Sequence, residues 1–459
     1  MNRKNIVLLT IECLRKAEFQ VPANVPNLHR IAGTSLVYPN FYSSSSWTPP
    51  SIFSLFTSQY PLSDGGRISI GKRDLTVAQI LRESGYYTVG LNSISWLSKF
   101  FSFDKGFEDF FDSTTGGRSK ATALWRARGM GIRMIRNSSV MGYVLRYLYN
   151  LRRYYGSPRD SSERLNTRAL RWLDEHKGER PFFLWIHYPD THEPYFHSKE
   201  IANYPYSMMW RVNRRAMKYL RTREEKYLNF TDAERNMLLD IYRKDLRQVD
   251  RSVAGLLDGL DNAGYLDDST YVFILGDHGQ QFFEHGGFGH GIYLYQELCN
   301  IPFLMYNRGL EGKKDGSPVS GLDIAPTILD LAGVACPPQF CGQSILNSTD
   351  PNRDIILQEG RDENRDFIIN GNNAYLDISK YRAALVRGKY KFIMDSHAKY
   401  ELYDLERDPH EQNNLASTEV AVCDDLRVQL ERHMRDIPNR DFAERTRNRI
   451  QDLKSEGRI

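Results

Sequence analysis

Two short apolar runs that each end in a carboxylate constrain this chain more than anything else in it. Asn5-Ile6-Val7-Leu8-Leu9-Thr10-Ile11 leads directly into Glu12, and Thr270-Tyr271-Val272-Phe273-Ile274-Leu275-Gly276 leads into Asp277-His278-Gly279. Runs of this length without polar alternation read as strands buried on both faces, the habit of parallel sheets. Helical stretches alternate with such strands: Val77 to Tyr86 closes on Gly85 and feeds the apolar run Tyr87 to Leu91. That alternation argues for a doubly wound α/β sheet, whose ligands bind beyond the carboxyl ends of the strands. Glu12 and the Asp277-His278 pair stand at those ends. An adjacent Asp and His supply one oxygen and one imidazole, a mixture suited to Zn²⁺ or Mn²⁺. Without further context, Asp-His-Gly is also an ordinary turn after a strand.

The further context is a segment with unusual punctuation, Trp47-Thr48-Pro49-Pro50-Ser51-Ile52-Phe53-Ser54-Leu55-Phe56-Thr57-Ser58-Gln59-Tyr60-Pro61. Read alone, it is a Ser/Pro-rich loop between a strand and a helix. It also resembles the nucleophile motif of the sulfatase branch of the alkaline phosphatase superfamily. Pro50, Ser51 and Thr57 fall in register with that motif, which places Thr48 at the nucleophile. Three more stretches resemble the same family in the expected order. Glu12-Cys13-Leu14-Arg15 stands where the family shows Asp-Asp-Leu-Arg or Asp-Thr-Leu-Arg. Pro181 to Tyr195 matches a strand ending in His-x-x-Asp-x-His-x-Pro-Tyr. Asp277-His278-Gly279 is followed by Glu284-His285-Gly286, His290-Gly291, Tyr295-Gln296-Glu297 and Ile301-Pro302-Phe303.

The resemblance implies an alkaline-phosphatase-like fold: a mostly parallel central sheet with helices on both faces, plus a small C-terminal antiparallel subdomain. We place the catalytic domain at residues 1–345 and the C-terminal α+β subdomain at 346–459. Short strands near Tyr381 to Val386, Tyr390 to Met394 and Tyr400 to Leu405, and the motif Leu402 to Ala416, mark the latter. Residues 113–175 and 196–245 look like insertions.

Two departures from the family pattern bear on chemistry. Relatives use a cysteine or serine matured to formylglycine, usually with an arginine four residues later; here the positions hold Thr48 and Ile52. Threonine cannot become formylglycine, so none is expected, and attack at phosphorus is the favoured reading. Glu12 replaces the usual aspartate, a substitution shared with lipoteichoic acid synthases and phosphoethanolamine transferases, and Cys13 takes the partner aspartate's position. The implied site is one divalent metal held by Glu12, Thr48, Asp277 and His278, with Zn²⁺ or Mn²⁺ ahead of Ca²⁺ or Mg²⁺. Thr48 would attack the ester while His192 and His290 neutralise the transferred group. His290 could instead protonate the leaving alcohol or activate the second nucleophile. Asp190 could orient His192, ligate a second metal or start the turn before Pro194.

The expected activity is metal-dependent hydrolysis of a phosphate or sulfate ester through a threonine nucleophile. The alternatives are a phospho-group transferase acting on a glycan or lipid, and a catalytically silent binding protein. The substrate would be a small-molecule, glycan or lipid-linked anionic ester.

The chain of 459 residues is 41% apolar and 26% charged, with a net charge of only +4, which does not imply nucleic acid. Five scattered cysteines do not form a disulfide framework, although Cys336 and Cys341 could pair. No signal peptide or membrane-spanning stretch is recognised, so a cytoplasmic location is expected. One region is unusual: from Ser113 to Arg159 there are many Arg and Lys and no Asp or Glu. Met141, Val144, Leu145, Leu148 and Leu151 share a helical face there, with Arg146, Arg152 and Arg153 nearby. Residues 118–159 could pack as an ordinary solvated helix, cover a pocket for a polyanionic substrate or lie on an anionic membrane. The second insertion reads as helical surface.

Overall fold

The computed structural model describes residues 4–112, 161–346, 350–360, 367–370, 373–376 and 381–436, less 64, 65, 67, 177, 179, 196, 197 and 199–203. The basic stretch 118–159 and its proposed roles lie outside the described residues.

An eight-stranded sheet forms the centre. Its order is Lys313–Lys314, Leu36–Val37, Phe303–Tyr306, Thr270–Gly276, Asn5–Ile11, Phe182–Tyr188, Tyr87–Asn92 and Asp109–Asp112. The last five of these run parallel, and Phe303–Tyr306 turns antiparallel against Thr270–Gly276. The sheet is therefore mixed, with its parallel part at the middle. Strand pleat explains the continuous apolar runs. Ile6 and Leu8 enter one buried cluster, with Ile52, Phe53, Phe56 and Ile328, while Val7, Leu9 and Ile11 enter another, with Leu165, Trp172, Leu246 and Val253.

Register positions the site. Ile11 pairs with Tyr188 on one side and Gly276 on the other. The next residues along the central strands, Glu12 and Asp277, therefore leave the sheet side by side at its carboxyl edge. His187 pairs with Thr10, one step back on the neighbouring strand.

The helix Thr48–Thr57 lies against this edge and all ten of its residues are buried. Trp47 precedes it in an extended conformation, and Pro49 and Pro50 occupy the first turn, where a missing N–H costs nothing. Ser58, left-handed at φ 50°, ends it and donates its N–H to Ser54 O.

Both stretches set apart as insertions supply a helix to the core, and for the second the surface reading needs correction. The helix Ser162–Glu175, counted with the first insertion, buries Leu165, Ala169, Trp172 and Leu173 in the sheet's second layer. Its spacing of apolar residues is that of a helix packed on the sheet. The helix Tyr206–Thr222, read as surface, buries Met209, Val212, Ala216, Tyr219 and Leu220 in the same layer. Its many basic residues occupy only the outward face, and charge density alone hid the apolar stripe.

A second sheet, Ile355–Glu359, Arg382–Arg387, Tyr390–Asp395 and Tyr400–Asp404, is antiparallel throughout. One face packs on Tyr42, Leu294, Leu298 and Cys299 of the larger part. The other is covered by Cys423, Leu426 and Leu430 of the helix Val420–Asp436. None of the five cysteines forms a disulfide, Cys336 and Cys341 included. Among the described residues no helix is long and apolar enough to cross a membrane.

Candidate active site

Glu12, Thr48, Asp277 and His278 converge at the carboxyl edge of the sheet. Thr48, first residue of its helix, donates its hydroxyl hydrogen to Glu12 Oε1 at 2.5 Å, and His278 Nε2 lies 3.2 Å from the same hydroxyl. His278 Nε2 is also 3.6 Å from Glu12 Oε1 and 3.4 Å from Asp277 Oδ2. All four are almost wholly buried. The first-turn amides of a helix favour negative charge, so Thr48 stands where an anionic group is electrostatically welcome.

The orientation of each side chain has a cause. Asp277 Oδ1 accepts from the amides of Cys13 at 3.0 Å and His278 at 2.8 Å, which turns Oδ2 inward with no hydrogen bond to it. His278 Nδ1 donates to Gly279 O at 2.7 Å, leaving Nε2 to face Thr48 and the carboxylates. Gly279 is required by close approach, since a Cβ there would sit 2.0 Å from Glu297 O. Arg15 braces the following loop through Gln280 O at 2.9 Å and Glu284 Oε1 at 2.5 Å.

The electrostatics are those of two carboxylates forced together out of water. Burial works to raise the pKa of Glu12, yet hydrogen bonds from His187 and His278 and the nearby imidazoles hold it well below the ordinary range. Asp277 is pushed up to about 6, by burial first and then by the Glu12 charge. Burial opposes the His278 cation, but Asp277 and Glu12 outweigh it and raise its pKa to about 9. Without a metal, the buried negative charge draws a proton to His278. Two carboxylates, an imidazole, a hydroxyl and one carboxylate oxygen that no hydrogen bond reaches fit a divalent cation.

His192 and His290 form the rim, with side chains 21% and 11% exposed against essentially none for the residues beneath. His192 Nδ1 donates to Glu193 O at 2.5 Å, and its Nε2 lies 4.0 Å from Glu12 Oε1. His290 Nδ1 meets Gln280 Oε1 at 2.7 Å, and the two rim rings are 5.3 Å apart. Asp190 is elsewhere. Its Oδ2 accepts from the Ser162 amide at 2.9 Å and from the Ser162 hydroxyl, fixing the start of the helix Ser162–Glu175. Instead of any of the three roles open to it, the geometry shows an anchor between two elements.

Sequence reasoning left three participants unassigned. His187 donates Nε2–H to Glu12 Oε2 at 2.5 Å. Arg223, from the segment read as surface, reaches His290 O at 3.1 Å and Phe288 O at 3.3 Å. Glu359, from the C-terminal sheet, accepts from Ser45 Oγ at 2.9 Å and Ser46 Oγ at 2.7 Å, just ahead of Thr48. His187 had a signal, its place in the His-x-x-Asp-x-His motif. The other two had none.

A sequence profile of the Sulfatase family matches residues 4–334, and the C-terminal profile of N-sulphoglucosamine sulphohydrolase matches residues 283–439. This chain belongs to the sulfatase family. Among curated sulfatases it is 23% identical to the choline-sulfatase of Rhizobium meliloti, over 94% of this chain and 86% of that one. It is 21% identical to the sulfatase YidJ of Escherichia coli K12, over 86% and 78%. The phosphonate monoester hydrolase of Silicibacter pomeroyi superposes with a TM-score of 0.69 at 17% identity, covering 95% of this chain and 96% of that one. A 2-O glycosaminoglycan sulfatase, BT1596, superposes at 0.65 and 16% identity, covering 94% and 92%. The shared fold thus carries both sulfur and phosphorus chemistry. No particular branch of the sulfatase family is singled out by these likenesses.

Proposed function

We propose that this sulfatase-family enzyme hydrolyses a phosphate or phosphonate ester, in preference to a sulfate ester, through a covalent intermediate on Thr48. The observation that carries this reading is the Thr48 hydroxyl, 2.5 Å from Glu12 Oε1 and 3.2 Å from His278 Nε2 at a helix N-terminus. Thr48 cannot supply an aldehyde hydrate, but a hydroxyl in this setting is an adequate nucleophile for phosphorus. The likeness to a phosphonate monoester hydrolase supports the same direction.

Glu12, Thr48, Asp277 and His278 would hold one divalent cation, whose chemistry is to acidify the hydroxyl and neutralise the transferred group. The chain's own groups do the rest. Thr48 Oγ bonds to phosphorus as the ester oxygen leaves, and the hydroxyl proton lies on the path to Glu12. His192 and His290 face the opening, placed to bind the phosphoryl oxygens and to protonate the departing alcohol. Water then releases the phosphoryl group from Thr48. The hydrolytic relatives support water as this acceptor rather than a second alcohol.

The test is turnover by the purified chain, stripped of metal and then supplied with Mn²⁺ or Zn²⁺. Substrates are an aryl phosphodiester, a phosphonate monoester, a phosphomonoester and an aryl sulfate. Faster phosphorus-ester turnover, with phosphorylated Thr48 trapped on acid quench, supports the proposal. Turnover of sulfate alone, or full activity in Thr48→Ala, overturns it.

A further inference from the structure

Cys13 occupies the position where the resemblance leads one to expect a second carboxylate, and its surroundings are not those of an inert core thiol. It follows Glu12 at the carboxyl end of the central strand and is wholly buried. Its backbone is left-handed at φ 54°, which non-glycine residues adopt rarely and at a cost of about 1 kcal/mol or more. Its amide donates to Asp277 Oδ1 at 3.0 Å, which ties that turn to the site. The sulfur lies 3.7 Å from His290 Nδ1. Sγ and one ring nitrogen each of His278 and His290 all lie within 4.8 Å of one another. A separate group, Glu12, His187 and Asp277, satisfies the same closeness. His278 belongs to the first group, and its Nε2 lies 3.4 Å from Asp277 Oδ2 and 3.6 Å from Glu12 Oε1 of the second.

An independent observation points to a ligand at this place. Asp277 Oδ2 is buried and no hydrogen bond reaches it, the His278 imidazole at 3.4 Å being its ion-pair contact, although a buried carboxylate oxygen without a hydrogen bond is expensive. A cation shared by that oxygen, His278 and the Cys13 sulfur would satisfy it.

We propose that Cys13 is a ligand of the site's metal, replacing a hard carboxylate by a thiolate, and so selects a zinc-class ion over Ca²⁺ or Mg²⁺. The proposal rests on the metal reading of the site given above. Thiolate and imidazole favour zinc-class ions, whereas calcium and magnesium demand oxygen. On binding, the sulfur lone pair forms the bond to the ion and the thiol proton passes to solvent.

The test uses Co²⁺ as a spectroscopic stand-in for zinc. The full chain carrying Cys336→Ser and Cys341→Ser, which removes both exposed thiols, is stripped of metal under reducing conditions and titrated. Uptake of one equivalent with a near-ultraviolet sulfur-to-cobalt charge-transfer band is expected, with the band abolished by Zn²⁺ but not by excess Ca²⁺. Adding Cys13→Asp, with Cys13→Ser as a second variant, should keep ligand-field bands, lose the charge-transfer band and lower zinc preference over calcium about ten-fold or more. Circular dichroism checks that each variant folds; if neither does, the unsubstituted Cys13 chain decides by the presence or absence of its band. Uptake without that band, or a band that survives in the Cys13 variants, overturns the role of Cys13 and leaves the metal site standing. No uptake by the parent chain overturns the metal reading as well.

Discussion

His187 Nε2 lies 2.5 Å from Glu12 Oε2, and this contact ends a one-way chain of donors. Trp185 Nε1–H donates to Thr10 Oγ1 at 3.0 Å, Thr10 gives its hydroxyl hydrogen to His187 Nδ1 at 2.7 Å, and His187 passes its own N–H to Glu12. The indole can only donate and the carboxylate can only accept, and a His187 ring carrying its one hydrogen on Nε2 gives the series this direction. Every link is buried, where such networks are worth most and a missing member is costly. Glu12 is thereby oriented from behind while its other oxygen serves Thr48. His187→Ala should therefore weaken metal binding about 10–100-fold, with a matching loss in kcat/KM. His187→Gln, which retains a donor, should recover part of it. Calorimetric metal titration of both variants is the check, and unchanged affinity in His187→Ala would remove Glu12 positioning as its role.

Substitution at Thr48 separates nucleophile from scaffold. Thr48→Ala should lower kcat by on the order of 10³-fold or more, because both the attacking oxygen and a proposed ligand are lost. Thr48→Ser keeps the hydroxyl at the first helical position and should retain partial activity. Single-turnover kinetics would show whether the serine variant still forms a covalent intermediate.

Glu359 links the C-terminal sheet to the loop that precedes Thr48. Removing its carboxylate strands the Ser45 and Ser46 hydroxyls in a buried setting, and Glu359→Ala should cost about 2 kcal/mol of stability. It should also lower kcat more than it raises KM, since the displaced part leads into Thr48, the proposed nucleophile. Denaturant melts and steady-state kinetics on one preparation measure the two effects; a loss of stability with unchanged kcat would make the contact purely structural.

His285 and Glu297, 2.8 Å apart, give the fold a pH signature away from Glu12, Asp277 and His278. Burial opposes the His285 cation, but Glu297 outweighs it and raises the pKa above the 6.5 of a free imidazole. Burial likewise opposes the Glu297 anion, and His285 nevertheless lowers its pKa below 4.5. The imidazole's contribution is fully present below pH 6.5 and fades as pH rises through its raised value. The carboxylate's is present above 4.5 and fades as pH falls through its lowered value. The pair therefore stabilises most between 4.5 and 6.5. The stability gap between the parent and His285→Gln should be widest there and shrink above the raised value, as denaturant midpoints at several pH values would show.

Much of the scaffold was legible because strands buried on both faces announce themselves. Asn5–Ile11 and Thr270–Gly276 begin and end where the apolar runs do. Glu12, Asp277 and His278 follow from those boundaries, since the residue after a central strand must emerge at the sheet's edge. Thr48 needed the Pro50-Ser51 spacing as well. What stayed hidden depends on contacts between distant elements. Nothing local to Arg223 shows that its guanidinium crosses to His290 O, and nothing local to Glu359 shows that it meets serines more than 300 residues earlier. Cys13 was visible as a departure from pattern, but only the geometry set its sulfur beside His290.

The Glu359 tether also has a meaning in time. A ribosome makes Thr48 long before Glu359, and domains generally fold as units, the amino-terminal one first. Until the C-terminal sheet is synthesised and docked, the serines ahead of Thr48 lack the carboxylate that holds them. A nascent chain therefore carries its proposed nucleophile unfinished, and hydrolytic capacity should arrive only with the last third of the protein.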